Sequence, residues 1–458
     1  MKLSEDFIKQ TKPLLEEQWN DFVEALEQPS PTSIRINKGK YTKTEAYSEP
    51  VIWCQDGYYL AERPSFTFDP LFHAGAYYVQ EASSMIIGQV FQQYVGNDTV
   101  KVLDLCAAPG GKSTHIASLI TPDSVLVANE VIRNRANILS ENIIKAGHPN
   151  VIVTNNDPAD IGKLTQVFDV ILIDAPCSGE GMFRKDTQAI EEWSLANVQL
   201  CKERQQRIVA DVWETLCPGG ILIYSTCTYN THENEENVQW MKDTFGAEVL
   251  PLDLPDEWNI HGAFNSGNSV YHFLPHLTRG EGFFLAVLRK TGDSEDETDF
   301  APKKSKKQPK SKSISLDSVY KNWIKGNEKY SFFERSGSWF AFPERNFDFF
   351  EYIVSQLKLV SAGIRLGDVK GKDFIPDHSL AMSQTLNKDA FTLLEVDKKT
   401  AIAYLRKEAL IFPDSSKGYL LLTYSGIPIG FVKNIGNRAN NLYPNEWRIR
   451  TTYLPDDC

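Results

Sequence analysis

Val102-Leu103-Asp104-Leu105-Cys106-Ala107-Ala108-Pro109-Gly110-Gly111-Lys112-Ser113 decides the fold. It begins with a short, almost wholly apolar run, as a strand covered on both faces requires, and passes through small residues into a helix. The same unit recurs downstream. Val125-Leu126-Val127-Ala128, Val151-Ile152-Val153, Val170-Ile171-Leu172-Ile173 and Ile221-Leu222-Ile223-Tyr224 are further buried runs, separated by helical stretches such as 133–146 and 195–216. This alternation predicts an α/β domain on a parallel, doubly wound sheet. Gly282-Phe283-Phe284-Leu285-Ala286-Val287-Leu288 predicts an added edge strand.

The loop after the first strand is where a doubly wound fold holds a nucleotide-like ligand. Its spacing excludes two phosphate cradles. A P-loop needs glycine where Cys106 stands, and the G-x-G-x-x-G pattern is missing. An adenosyl ligand without phosphates fits Cys106, Ala107, Ala108, Pro109, Gly110, Gly111 and Lys112 better. Acids close the later strands: Glu130 the second, Asp157 just past the third, Asp174 the fourth. An ionised carboxylate is acceptor-only and suits ribose hydroxyls and an adenine amine. Any one such acid alone reads more often as a helix cap; three in series beside the glycine loop reverse that and point to a ligand.

Two cysteines also end strands: Cys177 in Asp174-Ala175-Pro176-Cys177-Ser178-Gly179, and Cys227 in Ser225-Thr226-Cys227-Thr228. Groups at the carboxyl ends of neighbouring strands meet over one ligand, so a paired-thiol site is expected. Cys54, Cys201 and Cys217 lack such flanks and read as core or surface thiols. Seven cysteines without C-x-x-C spacing predict neither a disulfide framework nor a metal site, and a reducing, cytoplasmic setting. No N-terminal apolar signal segment is seen, and no apolar run reaches the roughly 18 residues of a membrane span, so a soluble chain is expected.

The net charge of −12 argues against indiscriminate nucleic-acid binding, but it is unevenly spread. Residues 1–292 hold 23 basic against 38 acidic side chains, and residues 293–458 hold 25 against 22. Five domain-level pieces follow. Residues 1–95, with a helix expected over 4–26 and a strand at Thr32-Ser33-Ile34-Arg35-Ile36-Asn37, form a small α+β domain; 96–292 hold the parallel sheet. Residues 293–313 form a charged linker, acidic and then lysine-rich, too poor in apolar side chains to fold. An intermediate region covers 314–380, and 381–458 carry two strand-like runs around Ser425-Gly426 that predict a small β-rich barrel.

On these residues the chain resembles the Nol/Nop/Sun family of RNA (cytosine-5) methyltransferases. The likeness covers the loop from Asp104 to Ser113, the three acids, and the block Asp174 to Phe183. It continues through Ser225-Thr226-Cys227-Thr228 with Glu233-Asn234-Glu235, and through Tyr78-Val79-Gln80-Glu81-Ala82-Ser83-Ser84-Met85. Tyr443-Pro444-Asn445-Glu446-Trp447-Arg448 resembles the C-terminal extension of the RsmF-type bacterial 16S rRNA enzymes. The resemblance implies a Rossmann-like, S-adenosylmethionine-dependent methyltransferase sheet and a PUA-like RNA-binding C-terminus. It further implies that Cys227 adds to carbon 6 of cytosine, that Asp174 hydrogen-bonds the ring and lies beside the methyl donor, and that Cys177 assists release. The implied partner is 16S rRNA or the small ribosomal subunit, with no membrane or metal and a monomeric enzyme. Alternatives are the same reaction on tRNA or large-subunit rRNA, or an RNA-binding assembly factor without chemistry. Arg35, Asn37, Lys433, Arg438, Arg448 and Arg450 are candidate RNA contacts.

Overall fold

The computed structural model describes residues 1–44, 47–292, 316–371 and 373–451; the linker expected over 293–313 lies outside them. Ser4 caps the first helix, Glu5–Leu15, by accepting from the Phe7 amide. The single helix expected over 4–26 is broken. Glu16 takes a positive φ of 48°, a turn separates the two pieces, and Trp19–Glu27 starts afresh. The bend lets Phe7, Trp19, Phe22 and Leu26 share one apolar cluster with Phe183, Trp193 and Tyr229 of the central domain. Four strands follow, β1 (Thr32–Ile36), β2 (Glu49–Pro50), β3 (Gly57–Leu60) and β4 (Tyr77–Val79), in a sheet ordered β2-β3-β1-β4.

The central strands are β5 (Lys101–Asp104), β6 (Val125–Asn129), β7 (Val151–Thr154), β8 (Phe168–Asp174) and β9 (Leu216–Thr226). They run parallel in the order β9-β8-β5-β6-β7, and every residue of β6 and β7 is buried, as a sheet covered on both faces demands. The chain builds outward from β5 through β6 to β7, then returns to place β8 on the other side of β5. The carboxyl ends of β5 and β8 therefore flank the topological switch point, where a crevice opens. Past β9 come β10 (Glu248–Leu250), β11 (Val270–Phe273) and β12 (Phe283–Arg289). The run expected as an edge strand, now β12, is interior: it pairs antiparallel with β9 and also with β10 and β11. Its burial from Phe283 to Leu288 explains why that stretch is apolar throughout.

Downstream, β13 (Tyr330–Arg335) and β14 (Ser338–Pro343) form a hairpin, and β15 (Leu359–Ala362) leaves it to pair antiparallel with β7. The region expected only as an intermediate piece thus closes the exposed edge of the central sheet, with Phe349, Phe350 and Ile353 packed into its core. Strands β16 (Ile364–Lys370) and β17 (Asp373–Pro376) complete the sheet with β13 and β14. The C-terminal sheet contains β18 (Thr392–Glu395), β19 (Gly418–Tyr424), β20 (Ile427–Asn434) and β21 (Ala439–Asn441). The β19–β20 turn is Ser425-Gly426, both at positive φ (51° and 77°), as a tight two-residue hairpin requires.

The two ends of the chain share a core. Ile34, Ile36 and Tyr77 pack with Tyr404, Leu422, Val432 and Tyr443. The N-terminal sheet also abuts the helix Arg133–Ala146 at Gly75, where a Cβ would lie 2.0 Å from the Lys145 carbonyl oxygen and φ is +68°. Gly75→Ala is therefore expected to cost about 1–3 kcal/mol, seen as a lower urea midpoint at unchanged slope; an unchanged midpoint would mean that the two elements part freely.

Candidate active site

A cleft of about 380 Å³ opens at the switch point. Its floor is the loop Cys106, Ala107, Ala108, Pro109, Gly111 and Lys112, and its walls include Asp104, Asp174 and Cys227 from the strand ends. Gly110 stands just behind, at φ 115°, where it caps the helix Gly111–Leu119 and turns that helix's amides toward the cleft.

Strand register brings the thiols together. In the parallel β8–β9 pair Asp174 lies opposite Ser225, and the Ala175 amide donates to the Ser225 carbonyl at 2.8 Å. The two chains leave the sheet side by side, and Cys177 Sγ comes within 3.0 Å of Cys227 Sγ. The Cys227 amide donates to Cys177 Sγ at 3.3 Å. Contact with Cys227, then burial, pushes the Cys177 thiol well above its ordinary range.

Asp174 is held on both oxygens. Lys112 Nζ donates to Oδ2 and Ser225 Oγ to Oδ1, each at 2.8 Å. Burial pulls the Lys112 ammonium down, but Asp174, with Cys227 and Asp104, outweighs it and leaves the lysine above its usual value. The result is a fixed cation 5.2 Å from the Phe283 ring centroid, beside the thiols.

Asp104, not singled out from the sequence, is wholly buried. Ser113 Oγ donates to its Oδ2 at 2.6 Å, while Oδ1 has no partner. Burial first, with Asp174 adding, pushes its carboxyl up to about 7. The fold favours the neutral form. Stability of the ligand-free protein is therefore expected to fall as pH rises from the ordinary carboxylate pKa of about 4 through about 7. Asp104→Asn should flatten that part of a plot of urea midpoint against pH; an unchanged slope would place the titrating group elsewhere.

The other two acids stand on the same rim, outside the cleft lining. Glu130 is buried at the end of β6, accepting from the Ile132 amide at 2.8 Å and pairing with Arg135 at 3.3 Å. Asp157 caps the short helix Pro158–Ile161 through the Ala159 amide.

The N-terminal sheet supplies a further wall: Tyr78, Gln80 and Glu81, in and just past β4, line the cleft, a placement that their membership of the family-like segment 78–85 did not reveal. Arg35 serves that wall and is not an RNA contact. It is 3% exposed and donates to Gln80 Oε1 at 2.9 Å and Thr114 Oγ1 at 2.8 Å. Asn37 also turns inward, its amide donating to the carbonyls of Gly75 and Ala146. Both were expected outside because Arg and Asn usually are; here neutral acceptors compensate the burial of Arg35 and hold the half-buried Asn37. Lys433 pairs with Asp373 at 2.6 Å, and Arg438, Arg448 and Arg450 are exposed.

Residues 93–289 match the model of the 16S rRNA methyltransferase RsmB/F family, 3–82 that of the N-terminal domain of RsmF, and 391–449 that of the RsmF PUA domain. A ribosomal RNA small subunit methyltransferase F from Escherichia coli is 32% identical, covering 93% of this chain and 92% of its own. The chain belongs to the RsmF family of 16S rRNA methyltransferases. The relative of that name from Citrobacter koseri is 31% identical over the same shares. Among solved structures, a methyltransferase homolog protein from Pyrococcus horikoshii superposes with a TM-score of 0.55 at 33% identity, covering 63% of this chain and 95% of that one. In this RsmF-family member the N-terminal match contains the β4 wall, and the central match contains both thiol loops. Among the described residues no group of three or more His, Cys, Asp or Glu is placed to hold a metal ion, and no helix is long and apolar enough to cross a membrane.

Proposed function

We propose that this chain transfers a methyl group from S-adenosylmethionine to carbon 5 of a cytosine in 16S rRNA through a covalent Cys227 adduct. The observation that carries this reading is the 3.0 Å contact of two thiols at neighbouring strand ends, beside the Lys112–Asp174 pair. A methyl transfer to oxygen or nitrogen needs no thiol, whereas carbon 5 of cytosine becomes nucleophilic only after a thiolate adds to carbon 6.

The cofactor fits on this chain's own terms. The orphaned Asp104 Oδ1 offers a buried acceptor for an ammonium group, and the loop from Cys106 to Lys112 offers backbone without bulk. Glu130 and Asp157, on the adjoining strand ends, are the acceptors assigned to ribose and adenine. When bound, S-adenosylmethionine supplies an electrophilic methyl group on sulfur.

Asp174 orients the cytosine ring near N3, and Lys112 keeps that carboxylate in place. Cys227, as the thiolate, adds to carbon 6 while N3 takes up a proton beside Asp174, and the resulting enamine attacks the methyl group through carbon 5, the electron pair of the broken carbon–sulfur bond staying on the cofactor's sulfur. The carbon 5 proton then leaves to solvent, its electron pair restores the ring double bond, and the Cys227 sulfur departs with the pair of its bond to carbon 6. Cys177, in contact at 3.0 Å, donates to that departing sulfur and takes a proton back from solvent, while N3 gives up its own. The target base must leave its stack to enter the cleft. The exposed Arg438 and Arg448 of the PUA-matching region, with the exposed Arg450 just past it, then hold flanking RNA.

Bisulfite sequencing of cellular RNA with and without the gene tests the substrate. One 16S cytosine is expected to lose its protection when the gene is absent. A change confined to tRNA or large-subunit rRNA would move the substrate, and no change in any RNA would contradict the activity.

A further inference from the structure

Two buried carboxylates beneath the thiol loops take no part in the chemistry above. Glu180 is fully buried, and five N–H donors converge on it. They are the main-chain amides of Tyr229 (2.7 Å) and Asn230 (3.0 Å), the Asn230 side chain (3.0 Å), Trp193 Nε1 (3.0 Å) and Gln10 Nε2 (3.1 Å). Glu233, also fully buried, accepts from the Ser178 amide (3.0 Å), Asn230 Nδ2 (2.9 Å) and Gln205 Nε2 (2.7 Å).

The two ties are reciprocal. Glu180 belongs to the loop that follows Cys177 and grips the main chain just past Cys227; Glu233 belongs to the segment that follows Cys227 and grips the main chain just past Cys177. The Asn230 amide bridges both carboxylates. Between the ties, the Gly181 amide donates to the Cys227 carbonyl at 2.8 Å, and Ser178 Oγ meets Thr228 Oγ1 at 3.0 Å. Burying two carboxylates among neutral donors is costly against an apolar filling of the same volume, so stability alone is a poor account of them. What the arrangement does supply is a fixed separation of two loops that also meet through the Gly181–Cys227 backbone bond, the Ser178–Thr228 hydroxyl pair and the sulfur contact.

Given the thiol roles proposed above, we infer that Glu180 and Glu233 are positioning residues that clamp the Cys177 loop to the Cys227 loop, keeping the releasing thiol against the attacking one. Cys227 sits at the end of a central strand and keeps its place without the clamp. Cys177 stands three residues beyond its strand, after Pro176, and depends on it. Loosening the clamp should therefore spare adduct formation and methyl transfer but slow release.

Glu180→Gln tests this, because the amide sets an NH₂ group against N–H donors at nearly unchanged size. Turnover is expected to fall by about 10²-fold, the loss typical of a small misplacement of a reacting group. The KM values for RNA and S-adenosylmethionine should stay within about twofold, and an enzyme–RNA adduct that survives denaturant should accumulate. A purely structural role would lower melting temperature and turnover with no adduct; that result, or wild-type turnover, overturns the clamp. Should Glu180→Gln not fold, Asn230→Ser removes the bridging amide and is read by the same adduct. Cys177→Ala runs alongside: if it traps an adduct and the clamp variants do not, the clamp is wrong. If Cys177→Ala traps none, the release role itself falls, and the clamp with it.

Discussion

Cys227→Ala is expected to lose methyl transfer by about 10⁴-fold or more, the scale seen when a covalent nucleophile is removed. The fold gives little reason for any other effect. The Cys227 sulfur meets Cys177 and lines the cleft, while the strand that carries it is held by main-chain bonds to β8 and β12. The variant should therefore keep its far-ultraviolet circular dichroism and its affinity for S-adenosylmethionine. Radiolabelled methyl incorporation into 16S rRNA is the assay. Retained incorporation within about tenfold of wild type would mean that carbon 6 is not attacked by this sulfur, because transition-state stabilisation of that size cannot come from a spectator.

Cys177→Ala is expected to do something different. Attack and methyl transfer proceed, release fails, and the enzyme stops after about one methyl group per molecule, held on its RNA. The substitution loses the contact at 3.0 Å and leaves the Cys227 amide without its 3.3 Å acceptor, a cost of about 1 kcal/mol that leaves the fold intact. A denaturing gel should show a band shifted by the mass of the RNA, dependent on S-adenosylmethionine for its methylated form. Full multiple turnover without a shifted band would remove Cys177 from the release step.

The opposite fates assigned to two cysteines of like setting depend on features of unequal legibility in the chain. The parallel sheet could be read because its strands are buried on both faces and so lack polar alternation, and the Ser425-Gly426 hairpin because its turn chemistry is local. The thiol contact is half legible: each cysteine visibly ends a strand, but the 3.0 Å approach needs the β8–β9 register, which no single run encodes. The β4 wall and Arg35 were harder. Arginine is read as exposed by default, and only the fold brings Gln80 and Thr114 to its guanidinium. The closing of the sheet by β15 was hidden for a related reason: four residues carry too little pattern, and their partner β7 lies some 200 residues earlier.

The same separation explains why the N-terminal helices matter to the site. Phe7 meets Phe183 at a tilt and Trp193 edge-on, at 5.2 and 5.5 Å between ring centroids, and Phe22 meets Tyr229 edge-on at 5.0 Å. These aromatic contacts brace the Cys177 and Cys227 loops from behind, so a module expected to meet RNA also forms the back of the catalytic centre.

The most direct test of the account is mass spectrometry of the Cys177→Ala enzyme after incubation with 16S rRNA and S-adenosylmethionine, followed by nuclease and protease digestion. The account predicts a 5-methylcytosine nucleotide attached to the peptide carrying Cys227. A nucleotide on another residue, or a cytosine recovered with no enzyme attached and no methyl group, would contradict it.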